Sequence, residues 1–173
     1  MKKLVAGFAC SVDGYIEGPH GEHDWIKVDK EMNFADQARR YDTYLFGRRS
    51  YEALKALGYP PSPGVRNYVF STTLTEVDKG FTLVRGRVKD TVQRMKEEEG
   101  KDIAVYGGAS LLASLLHERL VDELSIVFIP VLLGGGKPMV ELLHNRVWLT
   151  YVGARTYANG SIEVSYTVNY DGI

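Results

Sequence analysis

The segment IAVYGGASLLASLL, residues 103–116, sets two adjacent glycines between a short apolar run and a helix-patterned stretch. Ile103, Ala104 and Val105 read as a strand buried on both faces, and Leu111, Leu112, Leu115 and Leu116 as the apolar stripe of a packed helix. Gly107 and Gly108 form the turn between them. Lacking a Cβ, they reach backbone angles closed to other residues and let a second molecule approach the first free N–H groups of the helix. Those groups, with the helix dipole behind them, suit an anion such as a phosphate, although a plain strand-to-helix turn needs the same residues. On the first reading a methyl group added at Gly108 projects into the space of the anion. Gly47 repeats the pattern. It ends the strand-like DTYLFG, and Arg48, Arg49 and Ser50 open the next helix, so amides and guanidinium groups converge. A cationic helix start opposes the dipole, which an anion there would offset. Ser71, Thr72 and Thr73 follow another strand. Hydroxyls without a carboxylate suit a ribose 2′-phosphate, whereas an NAD site commonly places Asp or Glu on the 2′-hydroxyl. A hydroxyl-rich turn is the competing reading.

Other site patterns fail on their missing members. G-x-G-x-x-G does not follow the first strand, and GGGKP has Pro138 where a Walker loop needs Ser or Thr. HGE at 20–22 lacks the P-C-x-x-C half of a zinc deaminase signature. His20, His23 and Asp24 lie close together but lack the remaining ligands of a metal site, so no metal is expected. No nucleophile elbow occurs, which leaves the demanding chemistry to a bound cofactor.

The elements that must position these residues alternate. Residues 3–10 read as the first strand, followed by a Gly- and His-rich loop to Trp25. Asp29 can cap a helix whose apolar side carries Met32, Ala35 and Ala38. DTYLFG, RNYVF and FTLVR read as strands, RRSYEALKAL as a helix, and Val88, Val92 and Met95 mark another that Gly100 stops. DELSIVFIPV is a long strand, and two last strands meet at Asn159–Gly160, a strong hairpin signal. About eight strands with intervening helices predict a three-layer α/β domain spanning 1–173, mostly parallel, with an antiparallel C-terminal hairpin.

Composition fits that picture. A chain of 173 residues, 45% hydrophobic and 25% charged, suits one globular domain with a full core. A net charge of −1 gives no reason to expect a nucleic-acid or membrane partner. The N-terminal MKKLVAGFAC resembles the start of a secretory signal, but Asp13 and Glu17 cut the apolar run short. With Cys10 as the single cysteine no internal disulfide forms, consistent with a reducing cytoplasm, and Cys10 reads as a small buried hydrophobe.

Five stretches in order, VAGFACSVDGYI, HDWI, YLFGRRSYE, YGGASLLASLL with LVDEL, and IPVLLGGGKP, resemble the landmarks of the dihydrofolate reductase-like superfamily. Within it they are most similar to the reductase domain of riboflavin biosynthesis, the RibD C-terminal domain, and its stand-alone relatives. The resemblance implies a three-layer fold with an eight-stranded sheet, NADPH as hydride donor, and a small pyrimidine- or pterin-type substrate. The model activity is that of 5-amino-6-(5-phosphoribosylamino)uracil reductase. It further implies that Ala9, Ile16, Gly47 to Ser50, Ser71 to Thr73 and Gly107, Gly108, Ala109, Ser110 and Leu111 bind the cofactor. Ser11, Asp13 with Gly14, Asp24, Trp25 and Tyr106 would line the substrate side, the Gly107–Gly108 peptide would be cis, and the chain would form a homodimer. The sequence departs from its relatives in three places. Trp25 is followed by Ile-Lys-Val-Asp instead of a W-x-L-P-x-[DE] pattern, Tyr106 stands where riboflavin-pathway reductases often carry Glu, and LGYPPSPGVRN lacks their Asp-Asp-Pro. No residue is thereby marked as a proton donor. Dihydrofolate reductase activity and a nucleotide-binding module without catalysis stay open as alternatives.

Overall fold

The computed structural model describes residues 1–172. Its centre is an eight-stranded sheet built from β1 (Leu4–Ser11), β3 (Tyr41–Gly47), β4 (Arg66–Phe70), β5 (Phe81–Val84), β6 (Asp102–Gly107), β7 (Glu123–Ile129), β9 (Trp148–Thr156) and β10 (Ile162–Asn169). The order is β5-β4-β3-β6-β1-β7-β10-β9. The strands from β5 to β7 run parallel, and β10 is antiparallel to both β7 and β9. The short β2 (Tyr15–Glu17) and β8 (Lys137–Pro138) pair separately. The expected α/β sheet and C-terminal hairpin are thus both present.

Side chains in a strand alternate between faces, so each strand divides its residues between two environments. Leu4 and Ala6 of β1 and Leu124 of β7 point into the main core, where Val92 and Met95 of α3 (Val88–Glu97) meet Leu111, Leu112, Leu115 and Leu116 of α4 (Ala109–His117). Tyr51 of α2 (Arg48–Ala56) covers Phe46 and Val69 on the opposite face. The rest of that opposite face, below β6, β1, β7 and β10, is roofed only by residues 26–38 and encloses a cavity.

The roof corrects one expectation. The helix predicted from Asp29 is confined to α1 (Phe34–Ala38), capped by Asn33, whose side chain accepts from the Asp36 N–H at 3.1 Å. Asp29 instead accepts from the amides of Glu31 and Asn159, each at 2.9 Å, and ties the roof to the β9–β10 turn. None of the α1 residues is buried. Most helical stability comes from packing an apolar face, and without such packing the helix stays short.

At the opposite end of the strands, Asp42 accepts from the almost fully buried Lys2 ammonium at 2.9 Å, from the Thr43 hydroxyl at 2.7 Å and from the Lys101 amide at 2.8 Å. Burial pushes its carboxyl up, but these donors outweigh it and hold the pKa at about 2. The folded value lies below the unfolded one, so the stabilisation is complete above the ordinary carboxylate range and is lost as pH falls through about 2. Urea denaturation at stepped pH is expected to show about 2 kcal/mol of acid-labile stability from this group. Asp42→Asn is expected to flatten that part of the curve while lowering stability at neutral pH.

Candidate functional site

Two cavities flank the C-terminal end of β6. The more polar one, about 510 Å³, gathers Gly47, Arg48 and Arg49 at the start of α2, Ser71 to Thr73 after β4, and Gly108 to Leu111 at the start of α4. Residues from three separate turns therefore meet, as the sequence predicts. Arg85 and Gly86 after β5 and Lys137 and Glu141 after β7 complete the lining, and sequence reasoning missed them. Ser50 and Gly107 sit behind the wall, packed so closely that a Cβ on Gly107 would lie 2.9 Å from the Ser50 hydroxyl.

The chemistry of this cleft comes from helix ends. Gly47 and Gly108 are the N-caps of α2 and α4, and neither helix has a side-chain cap, so their first amides have no side-chain acceptor. Arg48 is paired with Glu52 at 3.0 Å, and Arg85 donates to the Leu74 carbonyl at 2.6 Å. Arg49 is exposed and has no carboxylate partner among the described residues. Ser71 accepts from the amides of Leu74 and Thr73 at 3.0 and 3.2 Å, which curls the hydroxyl-bearing turn. Uncapped helix starts, a free guanidinium and hydroxyls form a donor set that fits phosphate groups, with no acid lining the walls except Glu141.

The paired glycines behave differently from expectation in two respects. No peptide among the described residues is cis, so the Gly107–Gly108 bond is trans, and the turn is made by φ of +144° and +109° at the two glycines. A Cβ on Gly108 would meet Gly47 Cα at 3.4 Å and Leu111 Cβ at 3.5 Å, which are protein atoms, so the added methyl points between the two helix starts and not into open cleft.

The second cavity, about 590 Å³, lies under α1. Val5, Gly7 and Ala9 of β1, Ser125 and Val127 of β7, and Glu163 and Ser165 of β10 form its floor. These are the alternate residues that do not face the main core. Tyr41, Tyr44 and Tyr106 make an aromatic wall, with Tyr44 and Tyr106 centroids 6.1 Å apart and Tyr106 backed by Phe46 at 5.1 Å. Burial raises the pKa of the Tyr41 and Tyr44 phenols, which stay protonated at neutral pH. Arg40 and Glu123 also border the space, but they are paired with each other at 2.8 Å, and further with Asp102 and Lys3. Despite the cost of burial, these contacts hold Glu123 below the usual carboxylate range.

Of the residues predicted for a substrate side, only Tyr106 lines this cavity, and Ala9 of the cofactor set lies here too. Ser11 is fully buried, donates to Asp13 at 2.6 Å and accepts from the Tyr15 amide at 2.9 Å. Asp13 in turn accepts from Leu133 and Gly134 amides at 3.1 and 2.8 Å, so it braces the loop before β8. Ser11 and these amides hold its carboxyl below the ordinary value. Gly14 has φ of +91°, and Ile16 lies on β2 outside both cavities. Asp24 is exposed and Trp25 donates to the Glu22 carbonyl at 3.1 Å, while their neighbours Ile26, Lys27 and Val28 form the roof. Cys10, which precedes Ser11 in β1, is buried, and that burial, with the Asp13 charge, raises its thiol to about 11.

The sheet order and the pair of cavities at the β6 end define an α/β protein of dihydrofolate reductase-like fold. The chain belongs to the RibD C-terminal domain family, whose model matches residues 2–162. It is 33% identical over 181 residues to the uncharacterized protein YyaP of Bacillus subtilis strain 168, covering 98% of this chain and 96% of that one. A putative riboflavin biosynthesis protein from Shewanella sp. PV-4 superposes with a TM-score of 0.86 at 24% identity, over 96% of this chain and 99% of the other. Dihydrofolate reductase from Enterococcus faecalis, complexed with NADP(H), superposes with a TM-score of 0.71 at 15% identity, over 96% of both chains.

The contact between the two helix starts has a measurable consequence. Gly108→Ala is expected to lower unfolding stability by more than about 1 kcal/mol in chemical denaturation, because a side chain at positive φ is strained wherever it points.

Proposed function

We propose that the chain is an NADPH-dependent reductase of a small pyrimidine- or pterin-type heterocycle. The observation that carries this reading is the continuity of one segment. Tyr106 borders the aromatic cavity, and two residues later Gly108 borders the phosphate-suited cleft. A ligand with phosphates at one end and a flat reactive ring at the other fits that layout, and NADPH is such a molecule.

The residues fit the group. The α2 and α4 amides with Ser110 would take the pyrophosphate, and Arg49 with Ser71 to Thr73 the ribose 2′-phosphate. When bound, NADPH supplies a hydride for an unsaturated carbon. The chain's part is to hold the acceptor ring over Ala9 and beside Tyr106, since near-attack alignment accounts for much of the available acceleration. The three tyrosines and the roof line that space. Membership in the RibD C-terminal family and the dihydrofolate reductase-like fold support the reading.

A homodimer is part of the same proposal. β9 is an edge strand, and Trp148, Tyr151, Val152 and Ile162 expose 41%, 63%, 62% and 42% of their surface along the hairpin. An unpaired strand carrying apolar side chains is a template for a second copy.

Titration with both dinucleotides tests the cofactor assignment. NADPH is expected to bind at least tenfold more tightly than NADH, about 1.4 kcal/mol, and Arg49→Ala to remove most of that preference. Equal dissociation constants for the two in the parent protein overturn it. Light scattering at micromolar concentration is expected to give twice the chain mass, and Val152→Asp to give the monomer.

A further inference from the structure

Glu163 is a carboxylate with no countercharge. Its strand partner across the hairpin is Arg155, but that guanidinium lies over the Tyr157 ring at 5.0 Å, and no cation lies within ion-pair distance of Glu163 among the described residues. The carboxylate is held by neutral donors instead. Ser125 donates to Oε1 at 3.0 Å, and the buried Tyr157 donates to Oε2 at 2.5 Å. Burial and the adjacent Glu163 carboxylate raise the Tyr157 phenol to about 12, so this donor keeps its proton. An ionised carboxylate accepts about four hydrogen bonds, and these two fixed donors leave capacity for others.

The remaining capacity lies toward the cavity. Glu163 and Ser125 both line it, and the Gln37 amide of α1 reaches across to Oε1 at 3.5 Å. That distance is too long for a strong bond, yet it shows that an N–H group within the cavity reaches Glu163. The other acids nearby are committed. Asp36 of α1 is held by Asn33 and Arg39, and Glu123 by Lys3 and Arg40. Arg40 is paired in the same way, and Lys27 of the roof is the other cation that borders the cavity.

We infer that Glu163 is a specificity-determining residue, and that the cavity takes a planar nitrogen heterocycle which presents an N–H donor edge of cyclic amidine type to this carboxylate. The inference rests on the proposed reductase reading for the location of the substrate. It deepens that reading by naming the edge through which the substrate is selected. A carboxylate held by neutral donors, with no ion pair of its own, strengthens a charge-assisted bond to such a ligand and disfavours one that offers a carbonyl at the same place.

The test uses two small isosteres, 2-aminopyridine as the cyclic amidine and 2-pyridone as the lactam, titrated by calorimetry into the full chain, with NADPH titrated separately. The parent is expected to bind 2-aminopyridine at least tenfold more tightly than 2-pyridone. Glu163→Gln is expected to bring the two within about twofold, with NADPH affinity unchanged. Tyr157→Phe keeps the carboxylate and frees one of its acceptor sites, so the preference is expected to equal or exceed that of the parent. Survival of the preference in Glu163→Gln overturns the inference. So does a parent that binds 2-pyridone as well as 2-aminopyridine, or neither at millimolar concentration. If Glu163→Gln does not fold, a preference in Tyr157→Phe below the parent's overturns it, and one at or above the parent's supports it. Failure of the parent to bind NADPH instead overturns the reductase reading and leaves the probe comparison to stand by itself.

Discussion

The approach of two backbones at Gly47 and Gly108 is the constraint on which the phosphate-suited cleft depends. β3 and β6 are parallel neighbours, so the helices that follow them start side by side at the same sheet edge. Bringing both starts together leaves 3.4 Å between the Cβ position of one glycine and the Cα of the other. A side chain at Gly108 is strained by its φ of +109°, whereas one at Gly47, with φ of −74°, meets the neighbouring turn at ordinary contact distance. With both absent, two uncapped sets of amides face one space, and their dipoles add. The role of the glycines is therefore to position the donors, which open onto the cleft at the first turns of the helices.

The second cavity follows from an unequal covering of the sheet. Parallel strands are normally covered on both faces by crossover helices. Here α3 and α4 fill one face, α2 covers only the β3 and β4 side of the other, and the connection from β2 to β3 supplies the five-residue α1. Small or polar residues, Gly7, Ala9, Ser125 and Ser165, occupy the uncovered floor. Large apolar side chains there would close the space, so the alternation that builds the main core also creates the cavity opposite it.

Much of this was legible in the sequence because strands and helix starts have local signals. The runs at 3–10, 66–70, 81–85 and 103–105 mark the strands, and the Gly47 and Gly107–Gly108 turns follow from strand and helix patterns on either side. The failures concern residues whose role is set from far along the chain. Met32, Ala35 and Ala38 have helical spacing, but Ala35 and Ala38 stay exposed, and the helix begins only at Phe34. Glu163, Ser165 and Thr167 alternate with apolar residues, a pattern that reads as the solvent face of a hairpin. Only the roof contributed by Gln37, 126 positions away, makes that face an interior wall. Asp13 and Ser11 are the reverse case. The family resemblance implies ligand contacts for them, yet Ser11 donates to Asp13 and Asp13 accepts from the loop amides of Leu133 and Gly134.

The two halves of the site also differ in how firmly they are held, and this bears on how ligands enter. The phosphate-suited side is built on helix starts anchored in the main core through Ala109, Leu111 and Leu112. The roof of the other side has an α1 without one buried residue, tied down by Asp29 to the hairpin turn, by Asn159 to the Lys27 carbonyl, and by the long Gln37–Glu163 contact. Segments with few buried apolar contacts open locally at far lower cost than the global unfolding energy. Opening of the roof exposes the floor without disturbing the helix starts. On the proposed reading a dinucleotide would meet a rigid cradle, whereas the aromatic cavity is covered by a segment with few buried contacts of its own. In the inferred binding mode a ligand N–H on Glu163 would displace the Gln37 contact, so occupancy of the cavity would remove one of the ties that hold its own roof.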